Sequence, residues 1–210
     1  RRGLAPLSRL GLEALAARTV YACLSDGGLG YFQPVADTPG FPRALASTLT
    51  ERRMEAVNHK ALAATGAPGQ DLARLLAVYE EELREPLLAD RATIFRLAAE
   101  VAAEGAHRLL GLPLILLDCP LESATERSFA AALAARSPDV LATALAGDPD
   151  RVRSLEQALA VKAEELEDGP PSQTLSRLRR YLFAPQVPRA AQIDRSVEFF
   201  SAAGEGLECV

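Results

Sequence analysis

From Leu112 to Gly147 the hydrophobic pattern changes from helical to strand periodicity and back, and it does so nowhere else in the chain. Leu114, Ile115, Leu116 and Leu117 form an unbroken apolar run closed by Asp118, Cys119 and Pro120. Such a run predicts a strand buried on both faces. Ser123 or Thr125 then caps a predicted helix with Phe129, Ala132, Leu133 and Arg136 at helical spacing, and Ser137-Pro138 stops it. Val140 to Leu145 is a second apolar run. Strand, helix and strand in this order predict a parallel βαβ unit with a right-handed crossover and polar groups at the carboxyl ends of its strands. Asp118 stands at one such end.

The chain has 210 residues, of which 49% are hydrophobic and 24% charged, enough for a soluble core of one large domain or two small ones. Alanine and leucine dominate, aromatic residues make up 5% and tryptophan is absent, so a helix-rich α/β protein packed through small and aliphatic side chains is expected. A net charge of -5 and a pI near 5.2 give no general attraction to nucleic acid, so any such contact needs a local basic patch. Cys23, Cys119 and Cys209 are odd in number and form no CxxC pair, which argues against a disulfide framework or a zinc site. With no apolar run near the roughly 20 residues that cross a bilayer, and no basic-then-apolar leader, a cytoplasmic protein without membrane contact is expected. The ends, Arg1-Arg2 and Glu208-Cys209-Val210, read as those of an excised fragment whose sites are shared with further sequence.

Leu4, Leu7, Leu10, Leu12, Leu15, Val20 and Leu24 predict a first amphipathic helix ended by Asp26-Gly27-Gly28. The glycines of 27–30 are read as a plain turn, because neither a lysine nor a helix start follows them. Tyr31-Phe32 forms a short strand or an ordered loop. Thr38-Pro39-Gly40-Phe41-Pro42 signals a helix start with Thr38 as its capping hydroxyl, and the helix carries Arg43, Arg52 and Arg53 off its apolar face. Gly66 to Gly69 reads as a linker and Asp71 as the cap of a helix with Leu72, Leu75, Leu76, Tyr79 and Leu83 in its core stripe. Glu80, Glu81, Glu82 and Glu85 are its solvated side. Pro86 ends it, and Asp90 caps the next helix, through Ile94, Phe95, Leu97 and Val101. Gly147-Asp148-Pro149 opens a helix with Leu155, Leu159 and Leu166. Asp168-Gly169-Pro170-Pro171 is a linker, Leu175 to Phe183 a short helix bearing Arg177, Arg179 and Arg180, and Val197 to Phe200 a strand before Gly204 and Gly206.

His59 and His107 lack partners at ligand spacing and read as structural or surface residues; no GxSxG elbow or GxxxxGK[ST] loop is present. Asp118 is the one carboxylate placed where α/β proteins put a metal-binding or catalytic acid.

Four stretches taken together carry a resemblance: the strand with Asp118-Cys-Pro, helix and Ser-Pro-Asp-Val strand; Leu175-x-x-Leu178-x-x-x-Leu182-Phe183; Val197-Glu-Phe-Phe-Ser-Ala-Ala-Gly-Glu-Gly-x-Glu208; and Thr38-Pro-Gly-Phe-Pro-Arg-Ala-Leu45. They resemble the AddB-like helicase-nuclease proteins, in which a superfamily-one, RecA-like helicase core precedes a PD-(D/E)XK nuclease and the whole acts on double-strand DNA ends in repair and recombination. The resemblance implies that residues 1–37 and 109–195 are a partial RecA-like α/β domain, 38–108 an all-helical inserted subdomain and 196–210 the start of a second RecA-like domain. Asp118 then corresponds to the magnesium-binding acid of an active helicase. Cys119 and Pro120 replace the glutamate that positions the attacking water, so the site is degenerate. The fragment is expected to be catalytically inactive and to hold no cofactor; ATP and magnesium belong to the full-length protein or to a helicase-nuclease partner subunit. Arg43, Arg52, Arg53, Arg179 and Arg180 are the expected DNA backbone contacts.

Two other classes fit less of the sequence. A helical protein-protein interaction module without a nucleic-acid role suits the acidic balance and the alanine and leucine faces. A free-standing α/β phosphate-binding enzyme lacks a complete anion loop.

Overall fold

The computed structural model describes residues 3–84, 87–105, 107–166, 173–198 and 200–201. Among them are eight helices and two small parallel sheets, a helix-rich α/β protein as the composition predicts. Contacts divide the chain into Arg1–Leu114 with Leu121–Val140, and Ile115–Pro120 with Leu141–Val210.

In the first unit β1 (Ala5–Pro6) pairs in parallel with β2 (Leu88–Ala89). Pro6 has no N–H, so the ladder is made by Ala5 and Leu7, whose N–H groups donate to the Leu87 and Ala89 carbonyls at 2.9 Å each. Ser8 Oγ accepts from the Gly11 N–H and sets the start of α1 (Arg9–Ser25), which leaves Leu4 and Leu7 before the helix rather than on it. α2 (Phe41–Met54), α3 (His59–Ala63) and α4 (Ala67–Arg84) follow. They share one apolar core with α1, in which Leu15, Val20, Leu45, Leu49, Leu75 and Tyr79 are removed from solvent. This core is continuous across residue 38, where the sequence reading begins a separate subdomain. α5 (Arg91–Glu104) packs on α6 (Ala124–Ala134) through Phe95 and Phe129, whose rings meet edge to face at 5.9 Å. Ser123 and Glu126 close a capping box on α6, as the sequence predicts for Ser123.

Tyr31 and Phe32 lie in a bend outside any strand, the ordered-loop alternative of the sequence reading. Two local expectations for this unit are corrected. Thr38 does not cap α2: its hydroxyl donates to the Val35 carbonyl at 2.7 Å, and Gly40 takes the cap position without a side-chain bond. Gly66 to Gly69 is not a linker, because α4 begins at Ala67. Pro68 fits the first helical turn, where its missing N–H is not needed. Gly69 sits where a Cβ would lie 2.1 Å from the Leu62 carbonyl oxygen, so glycine there lets α3 and α4 approach.

β3 (Leu114–Leu117) runs parallel to β4 (Val140–Thr143), with α6 between them in the chain; all but their first residues, Leu114 and Val140, belong to the second unit. The Leu114 N–H donates to the Asp139 carbonyl at 2.9 Å and the Asp118 N–H to that of Thr143 at 3.0 Å. This register sets Ile115 beside Leu141 and Leu117 beside Thr143 on one face. That face is open: Ile115, Leu117 and Leu141 are 61%, 69% and 56% exposed, so burial on both faces is not found where only two strands pair. α7 (Pro149–Leu159) is capped by Asp148 and ends at Ala160, whose φ of +55° leaves Leu166 outside the helix. α8 is Thr174–Tyr181. A Cβ at Gly147 would lie 2.5 Å from the Arg180 carbonyl oxygen, so that turn admits only glycine against the end of α8. Val197, Glu198 and Phe200 lie outside any strand. The expectations for Glu85-Pro86, Asp168 to Pro171, Phe199, Gly204 and Gly206 fall outside the described residues. No helix among the described residues is long and apolar enough to cross a membrane.

Candidate functional site

Asp118 leaves β3 with φ +46°, a left-handed conformation that aspartate tolerates better than most residues. Its carboxylate accepts a hydrogen bond from Arg151 of α7 at 2.5 Å, and the same guanidinium faces Asp148 at 3.5 Å. The one acid that the sequence places at a strand end is thus held by a cation of its own unit. Cys119, beside it, is half-buried and free. Among the described residues no group of three His, Cys, Asp or Glu side chains is arranged to hold a metal ion.

The five arginines singled out from the sequence are divided between the two units and differ in setting. Arg43 and Arg52 are exposed on α2, with Arg43 at 4.0 Å from Glu13. Arg179 and Arg180 are exposed on α8, in the other unit, and Arg180 pairs with Glu165 at 3.2 Å. Arg53 is different in kind: its side chain is 14% exposed and its donors are committed.

Arg53 is the centre of a charged network that ties four helices together. Its Nε donates to Asp90 Oδ2 at 2.6 Å, and its Nη2 to Asp90 Oδ1 at 3.3 Å and Thr93 Oγ1 at 3.0 Å. Its Nη1 donates to Glu80 Oε1, whose partner oxygen Oε2 meets His59 Nε2 at 3.0 Å. Asp90 also caps α5, accepting from the Thr93 N–H at 2.9 Å. Burial opposes the Asp90 charge, but the Arg53 bonds and positive charge and the Thr93 N–H outweigh it, holding the carboxyl below its ordinary value of 3.8. The guanidinium lies 5.9 Å from the Tyr79 ring centre, and burial pushes the Tyr79 hydroxyl well above its usual range.

Sequence reasoning found one member of this network in its role, Asp90 as a cap. It read Glu80 and Glu82 as solvated and His59 as structural or surface. Glu80 instead neutralises Arg53, and Glu82 faces Arg18 at 2.5 Å. Glu80 and Asp90 stand 27 and 37 residues from Arg53, beyond any local spacing rule.

The 27–30 turn has a comparable explanation. Asp71, expected as a helix cap, lies inside α4 and accepts from the N–H groups of Gly30 at 3.1 Å and Phe32 at 2.9 Å. Of the amides that a phosphate loop would present, that of Gly30 is engaged by the protein's own carboxylate, and those of Gly27 and Gly28 by the Leu24 and Cys23 carbonyls.

Beside the Arg53 network lies a cleft of about 460 Å³ lined by Leu4, Arg53, Glu80, Leu83, Arg84, Leu87, Leu88, Thr93, Arg96 and Leu97. Its size falls within the range of small-molecule sites.

Fold and geometry together define a helix-rich α/β protein with an ion-paired acid at the end of a parallel strand and a buried arginine network among its helices. No protein-family model matches the chain, and comparison with curated proteins finds no match.

Proposed function

We propose that the chain is a non-catalytic part of an AddB-like exonuclease/helicase protein that binds and processes DNA ends in double-strand break repair and recombination. On this reading 1–37 with 109–195 contribute to a RecA-like domain, 38–108 to a helical insertion and 196–210 to a second RecA-like domain. The observation that carries it is Asp118: it follows the first strand of a parallel strand-helix-strand order, the position of a nucleotide-site acid, yet Arg151 engages it and Cys119-Pro120 follow. An acid held in this way supports architecture rather than ATP hydrolysis here. ATP, magnesium and cutting then belong to the rest of the protein or to its helicase-nuclease partner subunit, in the cytoplasm.

The exposed arginines Arg43, Arg52, Arg179 and Arg180 are the backbone contacts of this reading, and Arg53 supports the fold beneath them. Fluorescence anisotropy with a single-stranded oligonucleotide across a salt series tests it. Binding should weaken with salt, and each arginine–phosphate pairing that Arg43→Gln/Arg52→Gln or Arg179→Gln/Arg180→Gln removes should reduce the log-log slope by about 0.7. Absent or salt-independent binding, or slopes unchanged in both variants, would overturn it.

The open face of Ile115, Leu117 and Leu141 favours a second reading, a protein-protein interaction module without a nucleic-acid role. That reading expects self-association or partner binding and no affinity for the oligonucleotide.

A further inference from the structure

The cleft beside Arg53 has polar groups of one kind left over. Both Glu80 oxygens are taken, by Arg53 and His59, and Thr93 Oγ1 accepts from Arg53. The side-chain acceptors on its wall are therefore engaged. Donors remain. Arg53 Nη1 keeps a second N–H beyond its bond to Glu80, and the guanidinium is fixed in place by Asp90 and Thr93. The exposed Arg84 side chain has no hydrogen bond or ion pair among the described residues, and Arg96 is engaged through Nη1 with Glu100, on the exposed side of α5. The rest of the lining is leucine, and Leu87 is 55% exposed while held at φ +55°. A bulky residue in the left-handed region is strained, and such strain tends to collect at binding sites.

We propose that this cleft binds a small carboxylate bearing an apolar chain, its head group meeting Arg84 and the free Nη1–H of Arg53, its chain lying on Leu83, Leu87, Leu88 and Leu97. Arg84, whose side chain has no ionic partner among the described residues, selects an anion, and Arg53, already neutralised by Asp90 and Glu80, adds one further N–H donor. The leucines select against a bare anion, since acetate covers none of them. This site is independent of the DNA reading and uses none of its exposed contacts, Arg43, Arg52, Arg179 and Arg180; it shares with that reading only Arg53.

Isothermal titration calorimetry with decanoate below its micellar concentration tests the proposal, with decanol and acetate as the uncharged and chainless controls. Decanoate should bind at least about tenfold more tightly than either control, the worth of one charge-assisted bond. Arg84→Gln should weaken decanoate about tenfold and leave decanol unchanged. Leu87→Asn should also weaken decanoate while keeping or raising the melting temperature, because asparagine accepts the left-handed backbone and the position is exposed. Equal affinity for decanol or for acetate, undiminished binding in either variant, or no heat with decanoate would each overturn the assignment.

Discussion

Arg53 and Asp90 form an ion pair with side chains 14% and 1% exposed, and the two must be considered together. Removing one partner leaves the other charge in a poor solvent. Asp90→Asn retains an oxygen able to cap α5 but loses the charge opposite Arg53. Urea denaturation at pH 7 should show a loss of about 3 kcal/mol, the lower end for breaking a buried pair, because Glu80 still faces the guanidinium. The same carboxylate sets an acid limit. Its folded pKa lies below the ordinary 3.8, so its contribution is complete above that pH and is lost as pH falls through the folded value. The variant should therefore lose less additional stability than the wild type below about pH 4. If urea midpoints of both proteins decline in parallel there, Asp90 is not a source of the acid sensitivity. Sequence alone showed Asp90 as a cap, since a cap is read from its own neighbours; it did not show the pair, which depends on how α2 meets α5.

The helices were legible where their signals were local. Ser123, one of the two caps offered by the sequence, Asp148 with Pro149, and Asp90 open helices as expected. The start of α4 was not, because Gly66, Pro68 and Gly69 carry the composition of a linker, and the reason for Gly69 lies in α3. Its missing Cβ makes room for the Leu62 carbonyl and for Thr65 Oγ1, each 2.1 Å from where that atom would stand. Backbone cannot yield as a flexible side chain can. Gly69→Ala should cost about 1–3 kcal/mol, as overpacking does, whereas Gly30→Ala, with nothing within 4 Å of its added Cβ, should stay within about 0.5 kcal/mol. Thermal melts of the two variants side by side separate a packing requirement from a general intolerance of alanine. Equal shifts would mean that close approach of α3 and α4 does not set the identity of residue 69.

The two apolar runs gave the parallel strands and the helix between them, but not their environment. Continuous apolar sequence predicts a sheet covered on both sides, and two strands cannot supply that cover. The consequence is the open face of Ile115, Leu117 and Leu141. Apolar surface of this kind drives association whenever a complementary surface is offered, and a second copy offers the same one. Sedimentation velocity should show the wild-type chain associating as concentration rises. Ile115→Thr/Leu117→Thr should suppress this while changing unfolding free energy by no more than about 0.5 kcal/mol per site, since β-branched threonine suits a strand and both positions are exposed. Association that persists unchanged in the double variant would place the sticky surface elsewhere. The same variant also separates the two readings of function. A DNA-binding chain keeps its salt-dependent oligonucleotide affinity when this face is made polar, because its arginines lie on α2 and α8. An interaction module loses the one surface that argues for it.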